Sequence, residues 1–149
     1  MNAKFADAQA SIRVAAPRAA VWNALTDPAV IKQYFLGTNV ETTWKVGDSI
    51  TYSGEYNGHA YRDSGTILEF EPMILVKTTH YSPTTGLPDV PENHHTVEYR
   101  LADDDGGTRV TIVQGNNKSS EEVEQSTATW QLVLKNLKEF LESGNSSSA

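Results

Sequence analysis

Two histidines, His80 and His95, flank a Pro- and Gly-rich stretch from Ser82 to Asn93. The segments that carry them, Ile74 to Tyr81 and His94 to Leu101, read as strands. Paired as antiparallel neighbours, they would bring both imidazoles to the same end of one sheet face. There the two rings could hydrogen-bond a ligand or act as a proton-transfer pair. Two partly wet rim histidines would show the same spacing, and one bulge would reverse the parity. His80 and His95 are therefore acid–base candidates, and no catalytic residue is assigned. A metal would need a third ligand, His59 or Glu55, and no motif spacing supports one. His94 and His95 leave a strand in opposite directions. Asp103-Asp104-Asp105 lacks the alternating ligands, central Gly and closing Glu of a calcium loop. The expectation is no metal and no cofactor.

Nothing else reads as a nucleophile or a phosphate cradle. G-x-S-x-G, Walker A and G-x-G-x-x-G patterns are all missing. Gly47, Gly54, Gly58 and Gly65 fall at turns and bends. The inward strand positions are instead amphipathic: Tyr52, Tyr56 and Tyr99 with His80 and His95, opposite Trp130 of a helix. A plain core would need only Val, Leu and Ile there. Rings carrying one polar atom suit a mostly apolar pocket with a few fixing points. A filled core whose tyrosine hydroxyls reach the rim would read the same way. Tyr34 and Phe35, ending a short helix, are expected over the open end of the sheet as a gate or end-cap. The candidate ligand-binding set is Tyr34, Phe35, Tyr52, Tyr56, His80, His95, Tyr99, Trp130 and Leu134.

The element that must face these strands is the segment Ser119 to Glu142. Val123, Trp130, Val133, Leu134, Leu137, Phe140 and Leu141 recur at helical spacing, without Pro or Gly between them. Ser119 with Glu122 forms a capping-box pattern, Gly144 is the expected stop, and 145–149 is expected to fray. Such a helix, roughly 35 Å long at 1.5 Å per residue, has one apolar face and needs a sheet as partner. The front of the chain reads as a strand, Gln9 to Ala15, then two short helices. Pro17 takes the first position of one. Asp27 caps the other, Pro28 to Phe35, which Gly37 ends. The middle reads as strands: a weak one from Thr38 to Trp44, then Ser49 to Tyr56 and His59 to Phe70. Asn57-Gly58 is a type I′ hairpin signal between the last two, and Gly65 a bulge or tight bend. After the histidine strands, a turn at Asp103 to Gly107 leads to a last strand, Thr108 to Gln114. This order excludes a doubly wound fold. It predicts an α+β domain, a curved antiparallel sheet gripping one long helix, with the two short helices plugging an end.

Length and composition set the frame. A chain of 149 residues supports one domain with a substantial core, expected over about residues 8–142. The net charge of −7 argues against nucleic acid and anionic membranes as partners. There is no cysteine, no apolar leader and no run of 18 apolar residues. A cytoplasmic monomer or homodimer, with no membrane insertion, is the expectation.

Ala16-Pro17-Arg18-Ala19-Ala20-Val21-Trp22-Asn23-Ala24-Leu25-Thr26-Asp27-Pro28 resembles the opening of bacterial proteins related to the C-terminal domain of the activator of Hsp90 ATPase. Those proteins belong to the START-like, or SRPBCC, superfamily with the helix-grip fold. Trp44-Lys45-Val46-Gly47, the stretch Gly65 to Pro72, the strand Thr108 to Val113 and the helix around Trp130 and Leu134 continue the resemblance. It spans about residues 8–142. It implies a deep apolar cavity between helix and sheet. Relatives of this fold bind lipids, sterols, hormones or polyketides, some are aromatases or cyclases, and the eukaryotic namesake stimulates a chaperone ATPase. Tyr34 departs from the Trp that relatives often carry before Phe35. The family supplies no universal catalytic residue. The leading expectation is a non-covalent binder of a small hydrophobic or aromatic molecule. The alternatives are a protein partner of chaperone type, or a cyclase, aromatase or hydrolase using His80 or His95.

Overall fold

The computed structural model describes residues 5–147 apart from Asn57, Thr84 and Thr85, without the side chains of Tyr56 and residues 144–147. In chain order the elements are β1 (Ala8–Val14), α1 (Arg18–Thr26), α2 (Pro28–Tyr34), β2 (Asn39–Thr42), β3 (Ser49–Tyr56), β4 (His59–Glu71), β5 (Leu75–His80), β6 (His95–Asp104), β7 (Gly107–Gly115) and α3 (Ser120–Ser147). One antiparallel sheet holds the strands in the order β1-β7-β6-β5-β4-β3-β2. The six strands β2 to β7 form a meander, and β1 closes it by returning beside β7.

Period-two alternation sends Ile50, Ile67, Val97, Leu101, Val110 and Ile112 to one face, where all are buried. The second half of α3 lays Val133, Leu134, Leu137 and Leu141 onto that face, and each is at most 4% exposed. Burial of such side chains stabilises by about 1.5–3 kcal/mol each. The helix packs most extensively along β1. Its N-terminal half stands away from the middle of the sheet, and that divergence makes room for a cavity. No helix among the described residues is long and apolar enough to cross a membrane.

Several boundaries differ from expectation for local reasons. Pro17 is the N-cap of α1 rather than its first helical residue, and its carbonyl accepts from the amides of Ala20 and Val21. Strand β2 is shorter than expected, and Trp44 beyond it has a left-handed backbone (φ 63°). Half of the Ser119–Glu122 capping box forms as expected, and the returning contact falls one residue earlier. Glu122 N donates to Ser119 Oγ (3.0 Å), while Glu122 Oε1 accepts from Lys118 N (2.5 Å). Helix α3 passes through Gly144 to Ser147, because glycine takes the right-handed helical region as readily as the left-handed one. Residues 148–149 of the expected tail lie outside the described residues. The turn between β6 and β7 is tighter than expected, with Asp105 (φ 49°) and Gly106 (φ 85°) alone between Asp104 and its partner Gly107.

Gly65 is not the bulge. A Cβ there would lie 1.8 Å from the carbonyl oxygen of Thr79, so this glycine lets β5 approach β4. The register irregularity falls later, between Ile67 and Glu69. The β3–β4 hairpin pairs Tyr56 with His59 and has Gly58 at φ 80°. Asn57, the other expected turn residue, lies outside the described residues.

Candidate functional site

A cavity of about 780 Å³ lies between the N-terminal half of α3, strands β3 to β6 and the chain leaving α2. Such a volume suits a ligand of several rings. Five aromatic side chains form much of its wall: Phe35, Tyr52, Tyr61, Tyr99 and Trp130. The Trp130 ring meets Phe35 at 5.6 Å and Tyr99 at 5.9 Å, both edge to face. Its indole N–H donates to Gln114 Oε1 (2.9 Å). Gln114 Nε2 in turn donates to Ser126 Oγ and Asn117 Oδ1, each at 2.9 Å. The indole is therefore locked in orientation by a satisfied buried network.

The histidines meet at one end of this space. His80 on β5 and His95 on β6 are register partners, and their ring centroids lie 6.5 Å apart. His80 Nε2 is 3.0 Å from Asp63 Oδ2 on β4, and His95 Nε2 is 3.1 Å from Glu122 Oε2 on α3. The row carboxylate, imidazole, imidazole, carboxylate thus runs from the sheet to the first turn of the long helix. Asp63 Oδ1 is the one buried side-chain polar atom without a partner among the described residues. Tyr52 stacks edge-on against His80 at 5.3 Å, and its hydroxyl lies 3.4 Å from Thr78 Oγ1. Burial pushes the Tyr52 pKa up to about 12 and that of Tyr99 well above its ordinary value, so both hydroxyls stay protonated near neutrality. His94 faces the other way. It stacks on Tyr81 and lies 2.6 Å from Asp89 Oδ1. Among the described residues no group of three or more His, Asp or Glu is placed to hold a metal ion.

Of the expected ligand-binding residues, Phe35, Tyr52, His80, Tyr99 and Trp130 come together on the cavity wall. Tyr34 does not join them. It is 4% exposed, and its hydroxyl donates to Ala24 O (2.8 Å). It borders a separate void of about 30 Å³, so it is a packed member of the core rather than a gate. Leu134 is also core, at 1% exposure, one turn beyond the cavity along α3. His95 sits behind the wall, its ring turned to Glu122. The side chain of Tyr56 lies outside the described residues.

The sequence reading missed Asp63, Glu122, Gln114 and a polar stripe on α3. Glu122, Gln125, Ser126 and Thr129 all line the cavity. Their spacing of three and four residues marks one helix face, whose apolar continuation is Val133 and Leu137. Counting the β3–β4 register outward from the two-residue turn would have placed Asp63 opposite Tyr52, where it lies. Gln114 shares the inward parity of Val110 and Ile112, and a polar residue on a buried face is itself a signal.

A family model, Activator of Hsp90 ATPase homolog 1-like protein, matches residues 15–142. The solution structure of ChR145 from Cytophaga hutchinsonii is similar at 40% identity with a TM-score of 0.83, covering 99% of this chain and 100% of that one. DynU16, a protein of the dynemicin biosynthetic locus, shares the fold at 22% identity (TM-score 0.78); the match covers 94% of this chain and 48% of DynU16. The Aha1 dimer from Colwellia psychrerythraea shares it at 18% identity (TM-score 0.72), covering 93% of this chain and 97% of that one. Among curated proteins none matches the sequence.

Proposed function

The chain belongs to the Activator of Hsp90 ATPase homolog 1-like family, with the helix-grip fold of START-like proteins, and from that premise we propose that it binds a small, mostly apolar molecule between α3 and the sheet. The observation that carries this reading is the 780 Å³ cavity itself, walled by five aromatic rings with polar groups from the sheet and from α3 among them. Apolar surface removed from water contributes about 25 cal/mol per Å² of binding free energy before the cost of association. The polar groups would set the ligand's orientation. No covalent step is needed for this role.

Native mass spectrometry of freshly purified protein, beside a denatured control, tests the reading. The expected result is an added mass that vanishes on denaturation, or uptake of aromatic compounds with a change in Trp130 fluorescence. A bare chain that takes up nothing from a broad panel of aromatic and acyl compounds would overturn it. Capture of a chaperone that survives filling of the cavity would favour a surface-binding role instead.

A further inference from the structure

We infer that the cavity selects an uncharged aromatic molecule bearing a hydroxyl, held by His80 as hydrogen-bond acceptor, and rejects the corresponding carboxylate. This rests on the cavity reading above. The first observation is the charge of the wall. Glu55, Asp63 and Glu122 line it, and no Lys or Arg does so among the described residues. A ligand carboxylate or phosphate would enter beside three acidic side chains with no cation to pair it, which is costly in a partly dry site.

The second observation is the hydrogen-bond geometry around His80. An ionised Asp63 carboxylate can only accept, so the 3.0 Å contact assigns the imidazole proton to Nε2. In the neutral ring Nδ1 then carries the lone pair. No described residue donates to Nδ1, and it is not among the buried partnerless atoms, so this acceptor is reachable. The His80 side chain is 31% exposed and Asp63 15%, and both line the cavity, with Asp63 the more buried of the two. Several competing groups are already engaged, and the unpartnered Asp63 Oδ1 is itself buried. Both oxygens of Glu122 accept hydrogen bonds, Tyr61 pairs with Thr38 (2.7 Å), and Gln114 serves Trp130 and Ser126. His80 Nδ1 is therefore a directed acceptor beside aromatic walls, which suits a phenol-like O–H on a ring system. Asp63 acts as a positioning residue by fixing the tautomer.

Calorimetric titration of the intact protein with 2-naphthol, 2-methoxynaphthalene and 2-naphthoate tests the inference. The expected result is a preference of about tenfold for the naphthol over its methyl ether, as one well-formed hydrogen bond supplies, and weaker binding still of the naphthoate. In Asp63→Asn the amide N–H can donate to Nε2, moving the ring proton to Nδ1 and turning the acceptor into a donor. An Nδ1–H can donate to either ligand oxygen, so the preference for naphthol over its ether should then fall to about onefold, while the ether binds no more weakly than before. A merely structural role for Asp63 would weaken all three ligands alike. His80→Phe gives a second variant that keeps a ring in the wall and should also erase the preference. Equal binding of naphthol and ether by the natural chain, or naphthoate binding as tightly as naphthol, would overturn the inference and leave the cavity reading standing. Failure of all three aromatics to bind would overturn the inference, and the cavity reading falls with it only if the broad panel of aromatic and acyl compounds is refused as well.

Discussion

Gln114 shows how one polar side chain can organise a site it need not touch chemically. It accepts from the Trp130 indole and donates to Ser126 on α3 and Asn117. Gln114→Leu would strand the indole N–H in a buried place, and a stability lower by roughly 1–3 kcal/mol in urea titration is expected. Leu134→Ala should cost about 2–5 kcal/mol as a core truncation yet leave the ligand preference unchanged, because Leu134 does not line the cavity. The buried tyrosines make a pH prediction. Burial raises the pKa values of Tyr34, Tyr52 and Tyr99, Tyr52 to about 12. The folded chain then holds more protons than the unfolded one above the ordinary tyrosine value of about 10. Their stabilising contribution is complete below that pH and is lost as pH rises through the raised values, about 12 for Tyr52 and higher still for Tyr34. Ultraviolet titration of the phenolate band should show these three ionising with unfolding rather than before it.

At the scale of elements, two contacts decide how the grip is held. Gly65 lets β4 and β5 touch backbone to backbone, with no space for a Cβ against Thr79 O. Gly65→Ala should force the strands apart and cost roughly 2 kcal/mol or more, read from the urea midpoint. At the far end, Lys138 Nζ donates to Glu142 Oε2 (2.6 Å) and Arg13 O (2.9 Å), while Ala15 N donates to the same Glu142 oxygen (2.8 Å). The Lys138 hydrogen bond first, then that of Ala15, holds the Glu142 carboxyl below its usual range. Its contribution is present at neutral pH and is lost as pH falls through that lowered value. Glu142→Gln should speed hydrogen exchange at the Ala15 amide at neutral pH, and the difference from the natural chain should shrink in acid.

For the whole molecule, the divergence of α3 from the sheet creates both the cavity and its asymmetry. The C-terminal half of the helix is sealed by Val133, Leu137 and Leu141, and the N-terminal half stands off behind a polar stripe. Thr129→Trp would put a large ring into that space from an exposed helix position. Binding of 2-naphthol should be lost while the circular dichroism spectrum and melting point stay close to those of the natural chain. Much of this architecture is legible in the sequence, because alternation and helical spacing are local. Val97, Tyr99 and Leu101 declare one strand face, Val133, Leu134 and Leu137 one helix face, and Asp27-Pro28 a helix start with its cap in place. The antiparallel helix-grip arrangement follows from those periods, since an apolar helix stripe must bury itself on the apolar face of a sheet. Which rings share the cavity is not legible in the same way. Whether Tyr34 or Phe35 faces inward depends on where α2 ends, and whether Leu134 is wall or core depends on how far α3 lifts from β6. The partners of His80 and His95 come from β4 and α3, elements 17 and 27 residues away in sequence, brought together only by sheet curvature and helix placement. Periodicity settles which way a side chain points; the distance between two faces is a property of packing, and packing is decided by all the elements at once.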